Sequence, residues 1–158
     1  MLYDQLEERI KGGPREALFR SMFEGQKENV IKCCHVNYES ATKETFTNLS
    51  VPLQESKTLV EALKSLFSAE DLKGDDQYSS EKHGKQDAKK FMRIKSFPQV
   101  LQINLNRFGV GRFGEMVKIN SRCEFTDVLD FDQIMRGTDS YELSQPTTTS
   151  AGGASETK

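Results

Sequence analysis

Cys34 and His35 are adjacent in this 158-residue sequence, as a thiol nucleophile and its general base could be. The residues around them alternate between apolar and polar, which predicts a strand over residues 29–38. Neighbouring side chains of a strand point to opposite faces, so this thiol and this imidazole cannot easily share a hydrogen bond. We interpret the pair as a buried cysteine beside an incidental histidine, and we assign no catalytic residue.

A zinc site is the next chemistry that the residue types suggest. Structural zinc usually takes two pairs of ligands, with two residues between the members of each pair. Cys33 is followed at that spacing by Val36, and in a distal polar loop the equivalent pair is Ser80 and His83. Valine cannot coordinate a metal, so half of the tetrahedron is missing. We therefore predict no metal site and no cofactor.

Asp4 and Glu7 form an acidic pair three residues apart on a predicted helix over residues 1–11. Residues at this spacing are neighbours on a helix surface. Exposed charges of this kind are most often only solvated and contribute little. A carboxylate pair can also clamp a basic peptide segment, because carboxylates bind arginine in a bidentate manner. The residues by themselves leave both interpretations open.

The stretch from Leu101 to Asn106 alternates strictly and predicts a half-buried strand around which the other elements are organised. Pro98 stands at its entry because proline cannot donate a ladder hydrogen bond. An unpaired Arg107 on the apolar face would be costly, so we expect the strand to end at or before it. Phe108 lies in the register of the polar face. It is either capped by a neighbouring loop, which we favour, or offered to a ligand.

The other predicted elements are helices over 1–11, 15–22 and 127–136, strands over 29–38, 45–53 and 116–120, and a polar hairpin tip over 75–90. Pro52 makes the second strand an edge strand or shortens it. Thr58 and Glu61 form a capping box that opens the clearest helix, and Gly74 is predicted to cap its end. Helices followed by strands indicate an α+β domain.

Composition narrows the class of protein. A net charge of −2 and a pI near 5.8 argue against a nucleic-acid platform. There is neither an apolar run of membrane-spanning length nor a secretory signal, so we expect no membrane partner. Three cysteines make no disulfide framework, which favours an intracellular protein of the cytoplasm or nucleus. A hydrophobic content of 35% is lean and suggests that the chain buries part of its surface against something else.

The domain organisation follows from where this composition changes. Residues 1–143 carry the predicted elements. Residues 144–158 are rich in Ser, Thr, Gly and Ala and are expected to form a disordered tail, because they cannot bury enough apolar surface to fold.

Six short motifs, in this order and at this spacing, resemble the ubiquitin-specific protease family of cysteine deubiquitinases. The nearest pattern is similar to the herpesvirus-associated branch of that family. The motifs lie at residues 6–7 with 11–12; 22–25; 74–78; 83–90; 97–101 with 105–108; and 118–120 followed by Phe125.

The resemblance implies a papain-like hand of thumb, palm and fingers, of which this chain supplies the thumb end, the antiparallel fingers and part of the palm. It implies ubiquitin, or ubiquitinated proteins, as the partner. Asp4 and Glu7 would face arginines near the ubiquitin tail, Tyr78 would contact ubiquitin, and Phe108 would border the channel for the tail. Cys33 and His83 would be relics of the family's zinc ribbon.

The catalytic groups of the family do not match positions in this sequence. Its cysteine box would precede Met1, and its histidine lies in a strand introduced by a segment like residues 141–143, where Ser144-Gln145-Pro146 follows instead. We therefore expect the ubiquitin-gripping portion of a thiol protease, inactive alone and requiring the remainder of the catalytic domain. A stand-alone, non-catalytic ubiquitin-binding scaffold module is the alternative, and an unrelated α+β domain is a third reading.

Overall fold

The structure is a computed structural model that describes residues 2–53, 56–80 and 82–144, apart from the side chains of residues 2–4, 6 and 142–144. Its helices are α1 (Leu2–Ile10), α2 (Glu16–Phe23), α3 (Leu59–Phe67), α4 (Phe131–Arg136) and α5 (Asp139–Ser144). Its strands are β1 (Gly25–Cys33), β2 (Glu39–Phe46), β3 (Asn48–Pro52), β4 (Glu70–Leu72), β5 (Tyr78–Ser80), β6 (Gly84–Gln86), β7 (Ala88–Ser96), β8 (Gln102–Asn106), β9 (Phe108–Val110) and β10 (Met116–Lys118).

The largest sheet has four strands in the order β2-β1-β7-β4, and every neighbouring pair in it is antiparallel. Two hairpins, β5–β6 and β9–β10, form separate two-stranded sheets. The remaining pair, β3 and β8, is parallel. Few helices beside mainly antiparallel sheets confirm the predicted α+β class.

The predicted organising strand is β8, and it ends at Asn106 as expected. Leu101, Ile103 and Leu105 pack against the main hydrophobic cluster. On the parallel partner β3 and just beyond it, Leu49, Val51 and Leu53 are buried in that cluster. The period of two therefore predicted the inward face of both strands correctly.

Helix α3 covers the β3–β8 pair and provides much of the core. The predicted capping box is present, because the Thr58 side chain accepts from the Glu61 N–H while the Glu61 carboxylate accepts from the Thr58 N–H. Leu59, Leu63 and Phe67 recur on one stripe and are buried. This burial fixes the helix against the sheet, since helices of this length draw most of their stability from packing.

Two predicted strands are interrupted in the structure, one by a turn after residue 33 and the other by a bend at residue 47. The strand over 29–38 begins earlier, at Gly25, and ends at Cys33. The chain then turns, with the Tyr38 N–H bonded to the Val36 carbonyl and the Cys34 N–H bonded to the Asp87 carbonyl. The strand over 45–53 is broken at residue 47 between β2 and β3. Local alternation does not show such turns, because the residues on either side keep the same pattern.

The predicted cap of α3 is wrong. The helix ends at Phe67, with Ser68 as its C-cap, and β4 follows before Gly74. Gly74 instead has φ of 63° at the start of a short 3₁₀ turn, a conformation that favours glycine. The helix over 127–136 is shorter than predicted because Asp130 caps its first turn, and the strand over 116–120 ends at Lys118.

The end of the chain lies partly outside the described residues, which include nothing of the predicted tail beyond Ser144. Among the helices that are described, we find none with the length and apolar character needed to span a bilayer.

The capping box makes a pH-dependent contribution to stability that can be measured. Backbone N–H groups of Lys57 and Thr58 donate to the Glu61 carboxylate and lower its pKa below the ordinary value of 4.5. The stabilisation is therefore fully present above that value and is lost as the pH falls through the folded-state pKa.

We predict that Glu61→Gln lowers the midpoint temperature of unfolding at pH 7 and that the difference from the unsubstituted chain shrinks towards pH 2. Circular dichroism melts across this range measure it. Glu8→Gln, at an exposed position of α1, is the control and should give no such trend. A difference for Glu61→Gln that is independent of pH would contradict the assignment.

Candidate functional site

Glu7 is the described member of the predicted acidic clamp. It is exposed on α1, and it forms no ion pair with the described residues. It borders a small cavity of about 20 Å³ between α1, α2 and Thr47. The side chain of Asp4, its predicted companion, lies outside the described residues.

The turn that follows α1 is held by another carboxylate. Glu16 accepts from the Gly12 N–H at 2.7 Å and from Arg20 Nη2 at 2.7 Å. These bonds, the one from Gly12 first, lower the pKa of Glu16. The negative charge of Glu16 is thus paired within the fold, whereas the Glu7 carboxylate forms no ion pair with the described residues.

Phe108 begins β9 directly after the organising strand, and 58% of its surface is exposed. Arg107 separates the two strands, because its guanidinium donates to the Ser121 carbonyl at 2.8 Å. The Phe108 N–H bonds to the Asn106 side chain at 3.2 Å. The register of β8 is thus interrupted, and the expectation that a loop caps this ring is wrong. The ring is open to solvent on the hairpin, and its predicted contact with ubiquitin stays a prediction.

Phe108 belongs to a larger exposed apolar surface on the β9–β10 hairpin and its surroundings. Antiparallel pairing places Met116 opposite Val110 and Lys118 opposite Phe108. At the turn, Phe113 is 91% exposed. The large hydrophobic side chains exposed in this part of the chain are Phe97, Val100, Phe108, Val110, Phe113, Met116, Val117, Phe125 and Val128. Among them, Phe108, Val110 and Met116 share one face of the hairpin, and an exposed apolar face is characteristic of a surface that another body covers.

Tyr78 lies in an aromatic cluster at the far tip of the four-stranded sheet. Its ring stacks on Tyr38 at 6.4 Å between centroids, and His83 meets Tyr38 edge-on at 6.0 Å. Asp87 ties this tip together, since it accepts from Gln77 Nε2 at 2.7 Å. Tyr78 is half-buried, so its predicted contact with ubiquitin stays a prediction.

Cys33 and His83, the predicted relics of a zinc ribbon, lie at the same tip, and Ser80 is the residue that pairs with His83 in that spacing. Cys33 and Ser80 are both buried, and Ser80 Oγ has no hydrogen-bond partner among the described residues. Burial, and secondarily the neighbouring Cys34, raises the pKa of the Cys33 thiol. A raised pKa disfavours the thiolate that a metal requires. Within the described ranges, no three His, Cys, Asp or Glu residues are grouped as metal ligands would be.

The cysteines and histidines of the described chain are not arranged as nucleophile and base. Cys34 and His35 lie in the turn after β1, so the strand argument applied to them is wrong. The nearest carboxylate to His35 is that of Asp87, with 3.7 Å between Nε2 and Oδ2. Cys123 is half-buried against the core, and its thiol points to the Glu124 carbonyl. In the residues described, no thiol is hydrogen-bonded to an imidazole.

Glu7, Tyr78 and Phe108 are carried by three separate elements, α1, β5 and β9. Sequence reasoning missed Tyr38 and Asp87, which organise the tip. It also missed the exposed face of β9–β10, although the apolar residues at 108, 110 and 116 in a stretch with three glycines signalled it.

Comparison with known proteins decides the family. Residues 1–147 match the family model described as ubiquitin carboxyl-terminal hydrolase. The chain belongs to this family. It is 37% identical over 131 residues to "Ubiquitin carboxyl-terminal hydrolase 15" of Saccharomyces cerevisiae, which covers 82% of this chain and 11% of the relative.

Two further relatives of the chain carry names of the same hydrolase family. It is 38% identical over 134 residues to "Ubiquitin C-terminal hydrolase 12" of Arabidopsis thaliana, covering 84% of the chain and 12% of the relative. It is 33% identical over 136 residues to "Ubiquitin carboxyl-terminal hydrolase 7" of Drosophila melanogaster, covering 85% and 12%. The chain therefore spans only 11 to 12% of the length of these relatives.

A solved structure supports the same fold. The chain is similar to one from "Structure of the SAGA Ubp8/Sgf11/Sus1/Sgf73 DUB module bound to ubiquitin aldehyde", with a TM-score of 0.57 and 33% identity. The match covers 67% of this chain and 24% of the solved one. The α+β architecture is thus a part of the ubiquitin-specific protease fold.

The tip of the hydrolase-family chain is held by Asp87 and an aromatic cluster, and we predict that it needs no metal. The midpoint temperature of unfolding should be the same with EDTA, with added zinc and with neither. Asp87→Ala, which removes the bond from Gln77, should lower it by an amount that zinc does not restore. A fall in chelator alone would contradict this prediction.

Proposed function

We propose that this chain is the ubiquitin-recognising part of a ubiquitin-specific cysteine protease, in a branch close to the herpesvirus-associated enzymes. The observation that carries the proposal is the family match over residues 1–147. The solved relative bound to ubiquitin aldehyde supports ubiquitin as the partner. The similarity to hydrolase 7 of Drosophila supports the branch.

In this proposal Glu7 holds a basic part of ubiquitin. Its exposed carboxylate has no ion pair with described residues and stands beside the α1–α2 turn. A carboxylate accepts two parallel N–H bonds from an arginine, and such charge-assisted bonds are roughly twice as strong as neutral ones. Asp4, one helical turn earlier, would complete the clamp on arginines near the ubiquitin tail.

Phe108 would border the path of that tail. Its ring is exposed and lies beside the apolar face of the β9–β10 hairpin. An extended peptide can pack its aliphatic side chains on such a ring while its backbone stays hydrated at the edge. Tyr78, in the tip cluster, would meet the globular body of ubiquitin at a distance from the tail.

The whole enzyme would hydrolyse the bond to the C-terminal glycine of ubiquitin through a thioester. That reaction requires a thiolate, a base and a group that orients the base. Cys33, whose thiol pKa is raised by burial, and Cys123, half-buried against the core, suit this role poorly. We assign the reacting groups to the remainder of the domain, which would also cover the exposed apolar surface around Phe113 and Phe125. That surface favours this proposal over a stand-alone scaffold module.

The clamp can be tested by binding. We predict that Glu7→Lys weakens binding of ubiquitin to the chain by at least about tenfold, since a charge-assisted hydrogen bond contributes roughly 1.5–3 kcal/mol. Isothermal titration calorimetry measures both affinities.

Glu8→Lys is the matched control because it makes the same change at the next exposed residue of α1. Ubiquitin without its C-terminal tail should bind more weakly to the unsubstituted chain and show little further loss with Glu7→Lys. Equal losses for the substitutions at residues 7 and 8 would argue against a clamp.

The absence of catalysis can be tested by covalent labelling. An electrophilic ubiquitin probe, incubated with the isolated chain and analysed by intact mass, should form no specific adduct at Cys33, Cys34 or Cys123. Denatured chain is the control for general thiol reactivity and should be labelled without preference. A single stoichiometric adduct that free ubiquitin suppresses would overturn the assignment of the reacting groups.

A further inference from the structure

One face of the four-stranded sheet, here called the charged face, is defined by cross-strand register. Glu28 pairs with Lys43 on one side and with Arg93 on the other, and Lys32 pairs with Glu39 and Lys89 in the same way. The charged side chains of this face are Glu28, Lys32, Glu39, Lys43, Asp71, Lys89, Arg93 and Lys95. Five are cations and three are carboxylates, in a chain whose net charge is −2.

The charged face points away from the main core. Phe46, Met92 and Ile94 occupy alternate positions of β2 and β7 and belong to the opposite side of the sheet, where they join the main hydrophobic cluster. Because side chains alternate across a strand, Lys43, Arg93 and Lys95 project to the other side. The charged face is therefore separate from the main hydrophobic cluster, although Val30 and Phe91 are buried between its charged side chains.

The carboxylates of the charged face are already engaged. Glu28 is only 5% exposed, and Arg93 Nη1 lies 3.2 Å and Lys95 Nζ 3.5 Å from its Oε2. The same Arg93 nitrogen reaches Glu39 at 3.1 Å. Asp71 lies 3.4 Å from Lys89. Lys89 also lies 3.6 Å from Asp139, so Lys89, Arg93 and Lys95 are all paired with carboxylates of the fold.

Lys43 is the clearest unsatisfied cation. It is exposed and forms no ion pair with the described part of the chain. It lines a groove of about 270 Å³ together with Gln26, Glu28, Thr45 and Lys95. The remaining charged residues of the groove compensate each other, since Lys27 Nζ lies 3.4 Å from Glu44 Oε2. The groove therefore offers ammonium groups and hydrogen-bonding side chains to a carboxylate.

The groove lies beside an open sheet edge. β2 is the outermost strand of the four, its residues from 41 to 45 are all exposed, and no other described strand pairs with its outer side. An edge of this kind can accept an extended peptide as an additional strand. Every second side chain of such a peptide would lie on the charged face, level with Lys43 and Thr45.

We propose that the β2 edge and the adjoining groove bind an extended acidic segment of a protein partner. Backbone hydrogen bonds to β2 hold the segment, and an Asp or Glu carboxylate on the charged face binds Lys43, while Lys95 adds positive charge to the same groove. This interaction is independent of ubiquitin recognition through Glu7. Charged residues on an edge strand can also serve only to prevent edge-to-edge association, and the experiment separates that role from binding.

The probe is a fluorescein-labelled eight-residue peptide in which glutamate alternates with threonine, titrated with the full 158-residue chain. Anisotropy should show saturable binding that weakens with added salt, because partly exposed charges are screened. Lys43→Glu should weaken binding at least about fivefold, and Lys95→Glu, two strands further from the segment, should weaken it less. Lys43→Gln removes the charge without reversing it and should weaken peptide binding less. It is the variant to test if Lys43→Glu does not fold.

Lys90→Glu is the matched control. Lys90 is exposed on the same strand as Lys95 but on the opposite face, where it pairs with Glu70 at 3.5 Å. Amide hydrogen exchange of residues 39–46 should slow when the peptide binds, and Glu7→Lys should leave peptide binding unchanged. Equal losses from the substitutions at residues 43 and 90, or no change in exchange along β2, would overturn the proposal.

Discussion

The fold depends on the packing of one parallel strand pair against one helix. Parallel strands are normally covered on both faces. Here β3 and β8 are covered on one face, where Val51 and Leu63 are completely buried, while Asn104 and Asn106 on the other face are exposed. The apolar side of the pair is consequently buried in one cluster, to which α3 contributes Leu59, Leu63 and Phe67. The capping box at Thr58 stabilises the first turn of the helix that makes this possible.

A close backbone approach joins the four-stranded sheet to this core. Gly25 begins β1, and a Cβ there would stand 2.6 Å from the Phe46 ring and 2.8 Å from the Ser96 carbonyl. Phe46 is itself a member of the core cluster. The missing side chain thus lets β1 start under an aromatic ring that is anchored in the core. The sheet can then extend far from the helices and still be firmly positioned at its base.

Sequence reasoning succeeded where the spacing of apolar residues within one segment determines the secondary structure and its buried face. The alternation of Leu101, Ile103 and Leu105 and the stripe of Leu59, Leu63 and Phe67 gave the strand, the helix and their buried faces. It failed where contacts between residues far apart in sequence determine where an element ends. The turn after Cys33 is held by the Asp87 carbonyl, more than fifty residues away, and nothing local indicates it.

In the candidate site, too, local patterns predicted some features correctly and distant contacts determined others. The exposure of Glu7 agrees with a polar helix face, which a periodic pattern reveals. The exposure of Phe108 contradicts the capped reading, because the Arg107 guanidinium bonds to Ser121 and starts a new hairpin. A single aromatic residue after a strand carries no information about a bond made by its neighbour. Motif order identified the family because it adds up weak signals that span the entire chain.

The two outward surfaces of the chain differ in physical character, and this difference constrains their partners. The β9–β10 hairpin presents large apolar side chains such as Phe113 and Met116, whose burial is driven by the removal of water and tolerates salt. The charged face instead presents cations around a nearly buried carboxylate, so its interactions are screened by salt and demand matched geometry. One body cannot satisfy both surfaces with the same chemistry. The apolar hairpin suits permanent packing within a larger domain, whereas the charged face suits transient binding of a partner.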